Sequence, residues 1–324
     1  DITNQIRGSG GSYEDVSNSA EVEQEAEQKN NNCDGSICDN NIATASAIQG
    51  AASGSQIQGT DITNQIGGSG GSYEDVSNSA EVEQVVEQKN EDCKNGSLCE
   101  NNIASAVAIG GSASEIQSQA ATITNTIGGT DGDGSYEDVS NSAEVEQKVD
   151  QQNKDCNASD CENVVDIQTQ TALISNTVGG SSSGGEYHDV SNSAELEQEI
   201  KQHNEDCDNS LCENFIGSQS QATTISNVVG GSSGDKYEDV SNSAEVEQKA
   251  KQENNDCENS ECQNFIGNQT QRVLREGPGN SNENGGGDGK YEDVSNSAEV
   301  EQKADQQNKD CKDSLFCENL IGFQ

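Results

Sequence analysis

Cysteine is the residue type with the clearest chemical use in this chain, because its twelve copies fall into six regularly spaced pairs. Four or five residues separate the two members of each pair. The pairs are Cys33 with Cys38, Cys93 with Cys99, Cys156 with Cys161, Cys207 with Cys212, Cys257 with Cys262, and Cys311 with Cys317. Regular pairs of this kind predict disulfides formed in an oxidising compartment. The spacing also falls within loose limits for zinc ligands, but the cysteine-bearing loops lack histidine, which disfavours that use.

Carboxylates are the second chemical feature. Aspartate and glutamate number 59 against 16 lysines and arginines, which gives a formal net charge of −43. One glutamate recurs at the same place in six similar segments of the chain. These residues are Glu21, Glu81, Glu144, Glu195, Glu245 and Glu299. Two uses remain open for them: a solvated acidic face, or a column that binds Ca²⁺ or other divalent cations.

The composition disfavours several functional classes. A chain this acidic lacks the lysines and arginines that contact nucleic-acid phosphates. No apolar run approaches the ~18 residues of a membrane helix, so we expect no membrane insertion. The sequence shows no nucleophile beside a base and no phosphate-binding loop, and it has only two histidines. We therefore expect neither an enzyme nor an organic cofactor.

The elements that position these residues are internal repeats. The string YEDVSNSAEVEQ, or YHDVSNSAELEQ in the fourth copy, begins six times, and a cysteine follows each tyrosine by 20 residues. The predicted units are 1–12 (half a second arm and a Gly/Ser turn), 13–72, 73–135, 136–186, 187–236, 237–290 and 291–324, the last truncated in its second arm. Each full unit has a first arm, a cysteine loop, a second arm and a Gly/Ser stretch. Constant spacing over six copies argues against a disordered chain.

Periodicity decides between strand and helix for the first arm. Ala, Glu, Gln and Lys are good helix formers. However, in the fourth copy uncharged residues alternate with a largely charged set over eight pairs, from Val190 to Glu205. Strict alternation of this length indicates a strand. The second arm, rich in β-branched residues, supports the same interpretation.

Two strands joined by a loop at each end form a β-arch, and near-identical arches can stack in register ~4.8 Å apart. The sequence therefore predicts an all-β fold of six stacked β-arch repeats, solenoid-like or amyloid-like, parallel, in register and stapled by disulfides. The inward face would be rich in amides that hydrogen-bond along the stack. The predicted amide core is Asn18, Gln24, Asn78, Gln84, Asn141, Gln147, Asn192, Gln198, Asn242, Gln248, Asn296 and Gln302. The alternative is six small disulfide-closed modules on flexible linkers.

The stack leaves two disulfide patterns open. One closes each loop, as between Cys33 and Cys38. The other joins neighbouring repeats, as between Cys33 and Cys93, whose separation in a stack suits a disulfide.

The inward pattern Asn-x-Ala-x-x-x-Gln, seen at Asn18, Ala20 and Gln24, resembles part of the curlin repeat of bacterial curli. Curli repeats are shorter, lack cysteine pairs, and carry glycine where this chain has Asp15. A cysteine-bearing repeat of this kind is also similar to the sheath proteins of filamentous methanogenic archaea. The resemblance implies stacked β-arches that assemble into an extracellular polymer.

The two ends of the sequence read as parts of one second arm. DITNQIRGSGGS at the start matches DITNQIGGSGGS from Asp61, and CENLIGFQ from Cys317 matches CENFIGSQ from Cys212. This predicts an assembly contact between the Ile2 and Ile6 region of one molecule and the Ile321 and Phe323 region of the next. Proteolytic processing at those places is the alternative.

Together these features predict a secreted structural protein of the cell surface. It would form a protective sheath, hoop or fibre by head-to-tail and edge stacking, with itself as main partner and other envelope proteins as further ones. The rival hypothesis is a monomeric acidic Ca²⁺-binding adhesin or stalk module.

Overall fold

A computed structural model gives the fold. It describes residues 2–13, 15–35, 37–42, 45–48, 51–103, 106–109, 112–127, 135–178, 186–229, 236–276, 290–293, 295–314 and 316–322.

Nineteen strands and no helix are found in these described ranges. The first half of the chain forms β1 (Ile2–Tyr13), β2 (Val16–Asn30), β3 (Ile37–Ile42), β4 (Ala45–Ile48), β5 (Ala51–Tyr73), β6 (Val76–Asn90), β7 (Leu98–Ile103), β8 (Ala106–Ile109), β9 (Ser112–Ile127) and β10 (Ser135–Tyr136). The second half forms β11 (Val139–Asn153), β12 (Asp160–Val178), β13 (Glu186–Asn204), β14 (Leu211–Val229), β15 (Lys236–Asn254), β16 (Glu261–Glu276), β17 (Lys290–Glu292), β18 (Ser295–Asn308) and β19 (Phe316–Ile321).

Equivalent strands of successive repeats pair in parallel and in register, which confirms the predicted fold class. The first arms stack in the order β2, β6, β11, β13, β15 and β18. The start of the second arms stacks in the order β3, β7, β12, β14, β16 and β19. We call each first arm with its second arm a rung, numbered 1 to 6 along the chain.

The alternating sequence produces a two-sided first arm. In β11 every second residue from Val139 to Asn153 is buried, and the residues between them are partly or fully exposed. Side chains of a strand point alternately to opposite faces, so one parity fills the core. The buried residues are the uncharged set that the sequence predicts to face inward.

The core lies between the layer of first arms and the layer of second arms. One apolar cluster joins Val145 and Leu196 of the first arms to Ile174 and Ile225 of the second arms. Another contains Val149, Ile200 and Ile216 closer to the cysteine loops. Few large apolar residues are needed, because each packs against its counterparts on the neighbouring rungs.

The corners of the arches use backbone conformations that ordinary residues avoid. Asp15 and its five equivalents before the first arm have φ values of 51–56°. Aspartate and asparagine tolerate this left-handed region better than most residues. This explains how the repeat turns at this position without glycine.

The second arm contains one irregularity that the sequence pattern alone does not reveal. In β14 the buried residues have even numbers up to Ile216 and odd numbers from Gln219 onward. The change occurs at Gly217, which is left out of the ladder between Ile216 and Ser218 without any shift in register, and glycine suits this position because the neighbouring chain is very close there. A Cβ on Gly267, the equivalent residue of the next rung, would lie 2.1 Å from the Gly217 carbonyl oxygen.

Candidate assembly interface

The cysteine pairs form a single column at the loop end of the stack. Each disulfide joins the two cysteines of one loop, from Cys33–Cys38 in rung 1 to Cys311–Cys317 in rung 6. The structure therefore has the within-loop pattern of the two alternatives. Between rungs 2 and 5 all the cysteines are fully buried. Parallel backbone bridges, such as that between Asp34 and Lys94, hold the loop of each rung directly above the one before it.

The predicted amide core forms two hydrogen-bonded ladders. The Asn18 Nδ2 atom donates to the Asn78 Oδ1 atom over 3.1 Å, and each asparagine of this ladder donates to the next as far as Asn296. In the glutamine ladder the direction is reversed, since Gln302 donates to Gln248 over 2.8 Å and so on down to Gln24. The stack therefore has a polarity, with asparagine donors directed toward rung 6 and glutamine donors toward rung 1.

A second asparagine network, close to the cysteine loops, lies outside the predicted amide core. The Asn204 Oδ1 atom accepts hydrogen bonds from Asn153 and Asn163, each over 3.0 Å. Its Nδ2 atom donates to Asn254 over 2.9 Å and to Asn214 over 3.2 Å. An asparagine two residues after the second cysteine recurs in all six repeats, and this signal could have revealed the network.

The two ends of the stack differ from its interior in exposure. Val300 of rung 6 is 52% exposed, whereas its partner Val246 in rung 5 is fully buried. Ile321 is 41% exposed, whereas its partner Ile266 is fully buried. The outer face of rung 6 thus exposes side chains whose equivalents in the interior rungs are covered by the next rung.

The predicted assembly ends are placed only in part. Ile2 and Ile6 pair with Ile62 and Ile66, so β1 forms one more layer on the second-arm tail of rung 1. Ile321 continues the column that contains Ile266. Phe323 lies outside the described residues.

The six predicted glutamates also form a column, on the outer face of the first arms. Glu144 pairs in register with Glu81 and with Glu195, and the column extends to Glu21 and Glu299. A groove of about 420 Å³ runs along this column from rung 2 to rung 6. Desolvation raises the pKa of Glu144, and the charges of Glu195 and Glu81 raise it further.

Among the described residues, lysines form ion pairs with a neighbouring column of glutamates, two residues further along each first arm, but not with the column that begins at Glu21. Glu247 lies 2.7 Å from Lys249, and Lys148 and Lys303 pair with the equivalent Glu146 and Glu301. Within the described part of the chain, no lysine or arginine forms an ion pair with the six predicted glutamates. Their carboxylate oxygens are the donors that a divalent cation would contact.

Glu162, in the column at the start of the second arms, has a strongly raised pKa. Desolvation and the charges of Glu100, Glu213 and Asp160 raise its pKa to about 7. A carboxyl with a raised pKa in the folded state binds more protons when folded than when unfolded, so stability falls as the pH rises from about 4.5 to about 7. We expect Glu162→Gln to raise the melting temperature at pH 8 and to weaken its dependence on pH between 5 and 8.

Thermal unfolding followed by circular dichroism checks this prediction. Glutamine fits the column, since Gln263 occupies the equivalent position in rung 5. Glu258→Gln is the matched control, because Glu258 lies in an exposed loop. A melting temperature that responds equally to pH in the wild type and in Glu162→Gln would contradict the assignment.

No protein-family model, curated protein or solved structure matches this chain. No helix in the described ranges is long and apolar enough to cross a membrane.

Proposed function

We propose that this protein is a structural subunit that polymerises end to end into an extracellular sheath, hoop or fibre. The observation that carries the proposal is the exposed end of the stack. Rung 6 presents the same apolar and amide columns that the interior rungs bury against one another. An exposed strand edge is a template for another strand.

The polarity of the amide ladders supports a head-to-tail joint. If rung 1 of a second copy follows rung 6, Asn296 would donate to Asn18 of that copy, and Gln302 would accept from its Gln24. A joint between two rung 6 faces would instead oppose donor to donor in the asparagine column. A head-to-tail contact that does not close on itself generates a filament or a large ring.

Mechanical protection is the function that such a polymer serves best. Its subunits would be held by continuous backbone hydrogen bonds and stiffened by one disulfide in every rung. Six disulfides are typical of proteins in a non-reducing environment, which fits a surface location. The similarity to archaeal sheath proteins remains a prediction that agrees with this proposal.

Electron microscopy and X-ray diffraction of the purified protein test the proposal. We expect filaments, hoops or tubes with a reflection near ~4.8 Å along the stacking axis. Monodisperse monomers at high protein concentration, in high salt and with calcium, would contradict it. Monomers that lose their fold in a chelator would favour the Ca²⁺-binding stalk instead.

Salt is expected to promote assembly, because joining two copies continues each column of like charges. Two unit charges ~5 Å apart in water repel by about 0.8 kcal/mol. The Debye length falls from ~30 Å at 10 mM salt to ~8 Å at 150 mM, which weakens the repulsion between two copies that each carry a net charge of −43. We therefore expect the critical concentration for assembly, measured by sedimentation, to fall over this range.

Calcium chloride at matched ionic strength provides the comparison. An equal fall in critical concentration indicates screening alone, and a larger fall indicates that the glutamate columns bind calcium. A critical concentration that rises with salt would contradict the charge argument.

A further inference from the structure

In the cysteine column, sulfur atoms of successive rungs lie close to one another. The sulfur of the first cysteine of a rung lies within 4.8 Å of both sulfurs of the following rung. Cys33 stands in this relation to Cys93 and Cys99, and Cys257 stands in it to Cys311 and Cys317. Among the described residues, the second cysteine of a rung belongs to no such group with the rung that follows. The first cysteine of a loop is therefore the one whose sulfur lies close to both sulfurs of the following rung.

The cysteine pair of rung 6 is more exposed than the other five pairs. The cysteines of rungs 2 to 5 and Cys33 of rung 1 are fully buried, and Cys38 of rung 1 is partly buried. Cys311 and Cys317 of rung 6 are exposed. Thiol–disulfide exchange requires a thiolate to reach a sulfur atom of the disulfide. The rung 6 disulfide is therefore the one that a dissolved thiol reaches most easily in the free subunit.

We propose that Cys311 is a covalent cross-linking site whose partner is the rung 1 cysteine pair of a second copy of this chain. The proposal rests on the end-to-end joint of the proposed function. In that joint Cys33 and Cys38 of the second copy take the place of a following rung, so both sulfurs come within reach of the Cys311 sulfur. The joint then buries the new bond, just as neighbouring rungs bury the interior disulfides.

The exchange needs a small thiol from solution, and its steps balance. The thiolate attacks the Cys317 sulfur, forms a mixed disulfide there, and releases Cys311 as a thiolate. Cys311 attacks the Cys38 sulfur of the next copy, forms the intersubunit disulfide, and releases Cys33 of that copy as a thiolate. A second small thiol frees Cys317. In sum, two small thiols are oxidised to one disulfide, and two loop disulfides become one intersubunit disulfide and two thiols.

Two single substitutions test whether Cys311, rather than Cys317, forms the bond to the next copy. Cys317→Ser leaves Cys311 as a free thiol, and Cys311→Ser leaves Cys317, so both variants lose the same disulfide. After assembly without added thiol, we expect at least tenfold more covalent dimer from Cys317→Ser than from Cys311→Ser on non-reducing denaturing gels. Equal cross-linking of the two variants, or none in either, would overturn the proposal.

The wild-type protein provides a second measurement that does not depend on the folding of a variant. Polymer grown in a glutathione redox buffer should yield covalent oligomers in denaturant, and peptide mapping should find Cys311 joined to Cys33 or Cys38. Wild-type polymer that dissolves entirely to monomers in non-reducing denaturant would overturn the cross-link while leaving the proposed function intact. Failure of the wild type to polymerise at all, seen by electron microscopy, would instead remove the proposed function.

Discussion

Val300→Asp is expected to abolish end-to-end assembly while the subunit stays folded. In the free subunit Val300 is 52% exposed, so a carboxylate at this position keeps much of its hydration. In the proposed joint the next rung covers this position, as rung 6 covers Val246. Burying an unpaired charge costs several kcal/mol. A cost of only about 3 kcal/mol would raise the critical concentration more than ~100-fold.

Two variants isolate this effect. Val246→Asp places the same charge at a fully buried position of the same column, so it should unfold the rungs around it. Val300→Leu should assemble like the wild type, because Leu196 occupies the equivalent position in rung 4. Circular dichroism reports folding and sedimentation reports assembly. Assembly of Val300→Asp at the wild-type critical concentration would contradict the joint.

Asn204→Leu is expected to lower the free energy of unfolding by about 3–5 kcal/mol. The substitution keeps the number and branching of the side-chain heavy atoms but removes the acceptor for Asn153 and Asn163 and the donor to Asn254. Asn204 also donates to Asn214 and to the Glu213 carbonyl oxygen, and each hydrogen bond lost in the interior lowers stability by about 0.5–1.5 kcal/mol. Because the network continues through every rung, the loss is felt on both sides of rung 4.

Urea denaturation measures this loss, and Lys201→Leu is its control on the same strand. Lys201 lies on the opposite face and its side chain is 47% exposed. Its exposed ion pair with Glu199 should contribute at most about 1 kcal/mol. A change of less than 1 kcal/mol for Asn204→Leu would show that the asparagine network does not hold the rungs together.

The first arm could be predicted well from the sequence. Burial of one face of a strand requires charged and uncharged residues to alternate, and this alternation is visible in the sequence. Val139 to Asn153 and the copies of this segment are buried in the parity that the uncharged residues mark. Residue propensities alone would have favoured a helix. The alternation prevails because a helix would bring its glutamates to most of its circumference, whereas a strand confines them to one face.

The second arm and the corners could not be predicted as fully. The parity change at Gly217 depends on how closely the carbonyl oxygens of neighbouring rungs approach, and a single repeat does not contain that distance. The reach of Cys311 likewise depends on the offset between successive loops. The same holds for the bonds of Asn163 and Asn204, because pairing between arms is set by the packed layers.

The distance between outward residues of the first and last rungs tests the central claim of in-register stacking most directly. Ser17 and Ser295 are exposed and lie in the same column, five rungs apart. Spin labels can be attached there through ketone-bearing amino acids, which leaves the cysteines intact, and labelled protein can be diluted with unlabelled protein. Pulsed electron paramagnetic resonance should then give a narrow distribution near ~24 Å, from five spacings of ~4.8 Å. A broad distribution at much longer distances, as expected for independent modules on linkers, would contradict the stack.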